Sequence, residues 1–179
     1  DDTAVVGMAL DRADSSANDD ALRRAAHWVI GMQSKNGGWG SFDVDNTHYY
    51  LNHIPFADHG ALLDPPTADV SARCLSFLAQ AGYDKDHPVL KAAVAYLRAE
   101  QEDDGSWFGR WGTNYVYGTW SVLSALNANG IPPEDEAVRK AVAWLTLQQR
   151  ADGGWGEDGA TYWHEHKGLA KTSTPTQTS

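Results

Sequence analysis

The stretch Gln148–Asp158 reads QQRADGGWGED, and two earlier segments of the chain repeat its pattern. They are QSKNGGWGSFD, which starts at Gln33, and QEDDGSWFGR, which starts at Gln101. Each copy has a glutamine, three residues, a glycine, a small residue and a tryptophan. These Gln–Trp turns are framed by Gln33 and Trp39, by Gln101 and Trp107, and by Gln149 and Trp155. A turn that recurs three times predicts a repeat protein.

The spacing between the turns aligns the helices that precede them. The turn tryptophans are 68 and 48 residues apart. When the chain is aligned by these two offsets, two sets of segments coincide: one set is amphipathic, and the other is apolar on more than one face. The amphipathic set is 21–33, 89–101 and 137–149, and the more apolar set is 1–10, 69–78 and 117–126. Stacked helix pairs of this kind form an α-solenoid or a closed α/α barrel, so the sequence predicts an all-α fold.

The same offsets place Asp1, Asp69 and Tyr117 at one position of the repeat, where each inner helix begins. In a closed barrel these positions converge at one end of the central cavity. Helix capping is the simple structural explanation for the aspartates. A tyrosine does not cap helices, so three polar groups at this position also suggest a shared pocket.

Several aromatic residues have a structural explanation. Trp28 and Trp144 fall on outer helices, where we expect them to pack. The turn tryptophans follow glycines that can end a helix in the C′ position, and we expect the turns to clamp neighbouring outer helices rather than to catalyse. Cys74 on an inner helix is expected to be a small buried residue. The aromatic-rich loop 47–66 is long enough to suggest a functional role.

Composition excludes some functions. The formal charge of −10 and the absence of a basic cluster argue against a nucleic-acid surface. One cysteine excludes an internal disulfide framework. No uncharged apolar run approaches the roughly 20 residues that span a bilayer. We expect residues 1–179 to be an incomplete catalytic domain taken from a longer chain.

The Gln–Trp turns and five further segments together resemble one family. The Gln–Trp turns look like the QW repeats of triterpene cyclases, and DDTAVV at the start resembles the end of their D-x-D-D-T-A acid motif. GGWGSFDVDN, NHIPFADHGALLDPPTADVSAR, DGSWFGRWGTNYVYGT and STPTQT are similar to segments of bacterial squalene–hopene cyclases, in the same order. The resemblance implies a partial α/α barrel and conversion of squalene to hopene or hopanol.

The resemblance also implies roles for particular residues. Asp1 matches the aspartate that protonates the terminal alkene, and Asp2 matches the last aspartate of the acid motif. Asp69 matches a carboxylate beside the acid, and Arg73 stands where some relatives have its histidine partner. The other matching positions are the active-site aromatics Trp111, Tyr117 and Phe42, and the channel-constriction residues Phe56 and Ala57.

The chemistry of these residue types agrees with such a reaction. Carboxylates that share a site raise each other's affinity for a proton. Aromatic faces stabilise a carbocation by about 2 kcal/mol when desolvated, whereas a lysine or histidine would quench it. We expect no metal and no redox cofactor. The resemblance further implies monotopic attachment to one membrane leaflet at its cytoplasmic face, allows for a homodimer, and implies that this part alone is inactive.

Three other functions stay open at the level of sequence. An α/α-barrel glycoside hydrolase could use Asp1 and Asp69 as its carboxylate pair, but would need an open polar groove. A prenyltransferase-type subunit would need zinc ligands of the Asp-x-Cys kind, whereas Cys74 is five residues from Asp69. A non-catalytic helical scaffold would form an open solenoid in place of a barrel.

Overall fold

The computed structural model of the protein describes residues 1–55 and 62–163. These ranges contain five α-helices: α1 (Asp2–Gly31), α2 (Ala68–Gln80), α3 (Pro88–Ala99), α4 (Asn114–Ala128) and α5 (Glu136–Gln148). Two 3₁₀ helices span Tyr49–His53 and Gly159–Tyr162. Within the described ranges the only β-type pairing is one isolated bridge between Asn46 and Asp64. The predicted all-α class is confirmed.

The helices form two layers. Helix α2 lies between α1 and α4, while α3 packs on α2 and α5 packs on α4. The apolar faces of the inner helices merge into one core that includes Leu75, Leu78 and Leu126. This layering is consistent with part of an α/α barrel, and it brings the N-termini of α2 and α4 close to Asp1.

Helix α1 contains both predicted helices of the first repeat, joined at a kink. It is continuous over Asp2–Gly31 except at Asp14, whose φ of −164° and ψ of 96° are not helical. The Asp14 carboxylate accepts hydrogen bonds from Ser16 Oγ (2.8 Å) and Ala17 N (3.0 Å). A single residue therefore breaks the helix and caps its second half, because an aspartate side chain replaces the missing helical acceptor.

The Gln–Trp turns share one set of hydrogen bonds. Their indole nitrogens donate to carbonyls in the preceding helix: Trp39 to Val29 (2.7 Å), Trp107 to Leu97 (2.6 Å) and Trp155 to Leu145 (2.7 Å). Gln33 Nε2 donates both to Gly37 O within the turn and to Val89 O at the start of α3, each at 2.9 Å. Gln101 bonds in the same way to Gly105 O (3.0 Å) and to Ala137 O of α5 (2.9 Å). Each of these two turns therefore joins its own helix to the next outer helix.

The turns also contact the inner helices. The backbone N–H of Trp39 donates to Ser71 Oγ (2.8 Å), and that of Trp107 donates to Thr119 Oγ1 (3.0 Å). Both tryptophans are fully buried, whereas Trp155 is 39% exposed. Gly37 adopts a φ of 93° within its turn, several residues after α1 ends, so the prediction of a C′ glycine was wrong. Gly37 serves instead to let the turn approach the backbone of α3, where a Cβ would lie 2.4 Å from Ala92 O.

One packing prediction was right and another was wrong. Trp144 is buried against Tyr115 and Val116, as expected. Trp28 is 60% exposed, because it projects from α1 on the side that the described helices do not cover. Helical spacing places a residue on a face but does not show whether a neighbour covers that face.

Candidate active site

Arg73 on α2 links two of the three polar groups that the repeat places together. Its Nη1 donates to Asp1 Oδ1 (3.0 Å) and Oδ2 (2.8 Å), and its Nη2 donates to the hydroxyl of Tyr117. The guanidinium also lies 5.3 Å from the centre of the Tyr117 ring. The predicted convergence of Asp1 and Tyr117 is therefore present. Arg73 pairs with Asp1 across the interface between α1 and α2.

Asp69 is fully buried in the first turn of α2. Its Oδ2 accepts a hydrogen bond from the backbone N–H of Trp111 (2.9 Å), while its Oδ1 is buried with no hydrogen-bond partner among the described residues. Burial raises the pKa of the Tyr117 phenol well above its usual range, the Asp69 charge raises it further, and Arg73 opposes the shift. Tyr117 is therefore a neutral phenol at physiological pH.

Phe42 and Trp111 extend this cluster. Their rings meet edge to face, with centroids 5.8 Å apart and an angle of 85°. Phe42 also lines a pocket of about 270 Å³ together with Asp1, Asp2 and Cys74. The structure thus brings the predicted acid and one predicted cation-facing aromatic to the same small pocket.

The other predicted residues are placed differently. Asp2 lines the pocket, but its side chain is exposed and makes no hydrogen bond with any described residue. Phe56 and Ala57 lie outside the described residues. Four turn residues lie in the clamps between helices, namely Gln33, Trp39, Gln101 and Trp107, and Trp39 also lines the small pocket. Among the described residues, Gln149 and Trp155 bond within their own turn and to the helix before it.

Sequence reasoning missed two buried carboxylates that hold the backbone around the site. Asp64 accepts from the N–H groups of residues 41–43, on the loop that carries Phe42. Glu157 accepts from Asn114 N (3.0 Å), Tyr115 N (3.0 Å) and Val116 N (2.7 Å), which are the free donors at the start of α4. Each carboxylate is distant in sequence from the donors it binds, so no local motif indicated it.

A larger groove begins beside Arg73. It has a volume of about 730 Å³, within the range of ~300–1,000 Å³ that is usual for ligand pockets. Its walls are mostly apolar and come from α1, α2 and α4, with Arg73 and Trp120 among the lining residues. Tyr117 and Trp120 meet edge to face at 6.1 Å, so aromatic faces continue from the cluster into this groove.

Other groups in the described part of the chain offer no separate chemistry. Burial raises the pKa of the Cys74 thiol to about 11, so that it stays protonated. Among the described residues no three His, Cys, Asp or Glu side chains form a metal-binding group. No helix among them has both the length and the apolar character that crossing a bilayer requires.

The fold and the site together define a helical-repeat protein with an acid–arginine–tyrosine cluster surrounded by aromatic rings. Comparison with known families assigns it more closely, since residues 1–179 match the squalene–hopene cyclase C-terminal domain along their whole length. The chain belongs to that family.

Curated relatives are similar over the whole chain. It is 63% identical over 179 residues to a squalene–hopene cyclase of Schizosaccharomyces japonicus and 59% identical over 185 residues to one of Zymomonas mobilis. A squalene–hopene cyclase of Alicyclobacillus acidocaldarius is 53% identical over 182 residues. The chain spans 27%, 28% and 29% of the lengths of these relatives. Because they include a fission yeast as well as bacteria, the resemblance to bacterial sequences does not identify the source.

Proposed function

We propose that the protein is part of a triterpene cyclase that converts squalene to hopene or hopanol. The observation that carries this proposal is the contact of Arg73 with both the Asp1 carboxylate and the Tyr117 hydroxyl. Arg73 contacts both oxygens of this carboxyl group, and its positive charge stabilises the carboxylate that remains once the proton has been given up. Family membership supports the same reaction class.

In the first step the Asp1 carboxyl donates its proton to the terminal alkene of squalene. A C–H bond forms at the terminal alkene carbon that takes the proton, the alkene loses its π bond, and a tertiary carbocation remains on the adjacent carbon. Asp1 is left as a carboxylate, whose charge Arg73 stabilises through hydrogen bonds to a charged group. Because the Tyr117 phenol stays neutral, it does not compete as an anionic base.

The later steps transfer the cation along the folded substrate. Each ring closure uses the π electrons of the next alkene to form a C–C bond and moves the positive charge to a new carbon. Phe42, Trp111 and Tyr117 offer aromatic faces that stabilise such charges without bonding to them. The last cation loses a proton to give hopene, or takes up water and loses a proton to give hopanol.

Substrate choice tests this proposal. The longer protein that contains this chain should convert squalene to pentacyclic products detectable by gas chromatography with mass spectrometry. A glycoside hydrolase with Asp1 and Asp69 as its pair would release sugars from a glycan instead. A parent protein that is inactive on squalene and active on glycans would overturn the proposal.

We also propose, from the family resemblance, that the longer protein attaches to one leaflet at the cytoplasmic face of the membrane and forms a homodimer. Flotation of the purified protein with phospholipid vesicles tests the attachment, and light scattering in mild detergent tests the dimer. Protein that stays at the bottom of the gradient, or a monomer mass, would contradict the respective statement.

A further inference from the structure

Phe42 occupies its position with little help from side-chain packing. The residue is 62% exposed within the described part of the chain, and the described aromatic ring that it meets edge to face is that of Trp111, at 5.8 Å. A ring with so few contacts takes its position from the backbone that carries it. The conformation of residues 41–43 therefore sets where this aromatic face lies.

Asp64 fixes that backbone. Its Oδ1 accepts from Ser41 N (3.0 Å), and its Oδ2 accepts from Phe42 N (2.5 Å) and Asp43 N (2.8 Å). Asp64 is buried, and a buried carboxylate is stable only when hydrogen bonds replace its lost hydration. The loop conformation and the buried charge thus depend on each other.

The segment around Asp64 is itself held from the opposite side. Asn46 Nδ2 donates to Leu62 O (2.8 Å), and Arg110 Nη2 donates to Leu63 O (2.7 Å). The Arg110 guanidinium also lies 5.4 Å from the centre of the Trp111 ring. One connected set of hydrogen bonds therefore links the backbone of Phe42, through Asp64, to the residue next to Trp111.

We propose that Asp64 is a positioning residue that determines product specificity, because it holds the Phe42 ring against Trp111. This inference rests on the proposed function. It requires no contact between Asp64 and the substrate. When the carboxylate no longer binds the loop, the Phe42 ring moves away from the developing cation, and cyclisation ends early more often.

The test compares two acid-to-amide variants of the longer parent protein. Asp64→Asn removes the charge and one acceptor oxygen from the three N–H groups. Asp45→Asn is the matched control, since Asp45 lies on the same loop but its carboxylate binds Lys35 N (2.9 Å) and Lys35 Nζ (3.3 Å) instead. Both variants are incubated with squalene, and the fraction of incompletely cyclised products is measured.

We expect that fraction to rise at least severalfold in Asp64→Asn and to match the wild type in Asp45→Asn. Phe42→Ala should give the same shift in products, and the double variant Asp64→Asn with Phe42→Ala should add nothing further. Unchanged product fractions in Asp64→Asn, with or without a lower rate, would overturn the inference. A fully additive double variant would also overturn it.

A second variant covers the case in which Asp64→Asn does not fold. Gly40→Ala adds a Cβ that would lie 2.7 Å from Asp64 Oδ2 and 2.6 Å from its carbonyl oxygen, so it displaces the same contact without removing the charge. It should shift the products in the same direction, and an unchanged profile would overturn the inference. A wild-type parent that does not convert squalene would instead overturn the proposed function, so the two failures are distinguishable.

Discussion

The clamp between outer helices gives a prediction whose size follows from the structure. Gln101 Nε2 makes two hydrogen bonds, one within its turn and one to Ala137 O of α5, whereas Gln149 Nε2 makes one with a described residue, Gly153 O (2.8 Å). Each hydrogen bond contributes about 0.5–1.5 kcal/mol. Gln101→Met should therefore reduce the free energy of unfolding by about 1–3 kcal/mol.

Gln149→Met is the comparison variant, because the one bond that Gln149 Nε2 makes with a described residue stays within its own turn. We expect it to cost about 1 kcal/mol or less. Urea unfolding of the longer parent, followed by circular dichroism, measures both values. Hydrogen exchange over 136–148 gives a local readout, since only Gln101→Met frees the start of α5. Equal losses of stability in the two variants, or unchanged exchange in α5, would refute the clamp.

Three further predictions concern the site and its supports. Arg73→Lys should reduce kcat on squalene about 10- to 100-fold, because an ammonium group cannot reproduce the planar contacts to Asp1 and Tyr117. Steady-state kinetics of the longer parent protein measures this change, and turnover within twofold of wild type would contradict the prediction. Glu157→Gln should lower the free energy of unfolding by about 1–3 kcal/mol, because the start of α4 loses one acceptor oxygen and the negative charge that cap it. Urea unfolding measures this loss, and an unchanged unfolding midpoint would contradict the prediction. Burial raises the pKa of Tyr115 to about 12, so its stabilising contribution is complete below the unfolded pKa of about 10 and is lost as the pH rises towards 12. Absorbance at 295 nm should show a late tyrosine step that coincides with unfolding, and a single early step would contradict it.

The fold could be predicted from the sequence because its signals are local and repeated. The glutamine and tryptophan of each turn bond to the turn itself, to the helix before it or to a neighbouring helix. The spacing between the turns therefore also gives the spacing between the helices. A break between the helical segments 1–10 and 21–33 was predicted, but its place at Asp14 was not, since a one-residue interruption needs no loop signal. The exposure of Trp28 was not predicted either, because a residue type indicates burial without showing what covers it.

The site could be predicted in part. The repeat offsets brought Asp1 and Tyr117 to one position, and the structure joins them through Arg73. Asp64 and Glu157 could not be found in this way, because they bind backbone N–H groups, which every residue except proline carries. A buried carboxylate that binds three such groups leaves no pattern in the sequence around the groups it holds.

The most direct test of the account is the loss of the acid. Asp1→Asn in the longer parent protein removes the proton donor and keeps the side-chain shape, while Asp86→Asn replaces an exposed carboxylate that pairs with Lys91 (2.8 Å). General-acid catalysis contributes about 100-fold or more, so Asp1→Asn should lower squalene conversion by at least that factor. Asp86→Asn should convert squalene at the wild-type rate. Undiminished formation of pentacyclic product by Asp1→Asn would contradict the assignment of Asp1 as the proton donor.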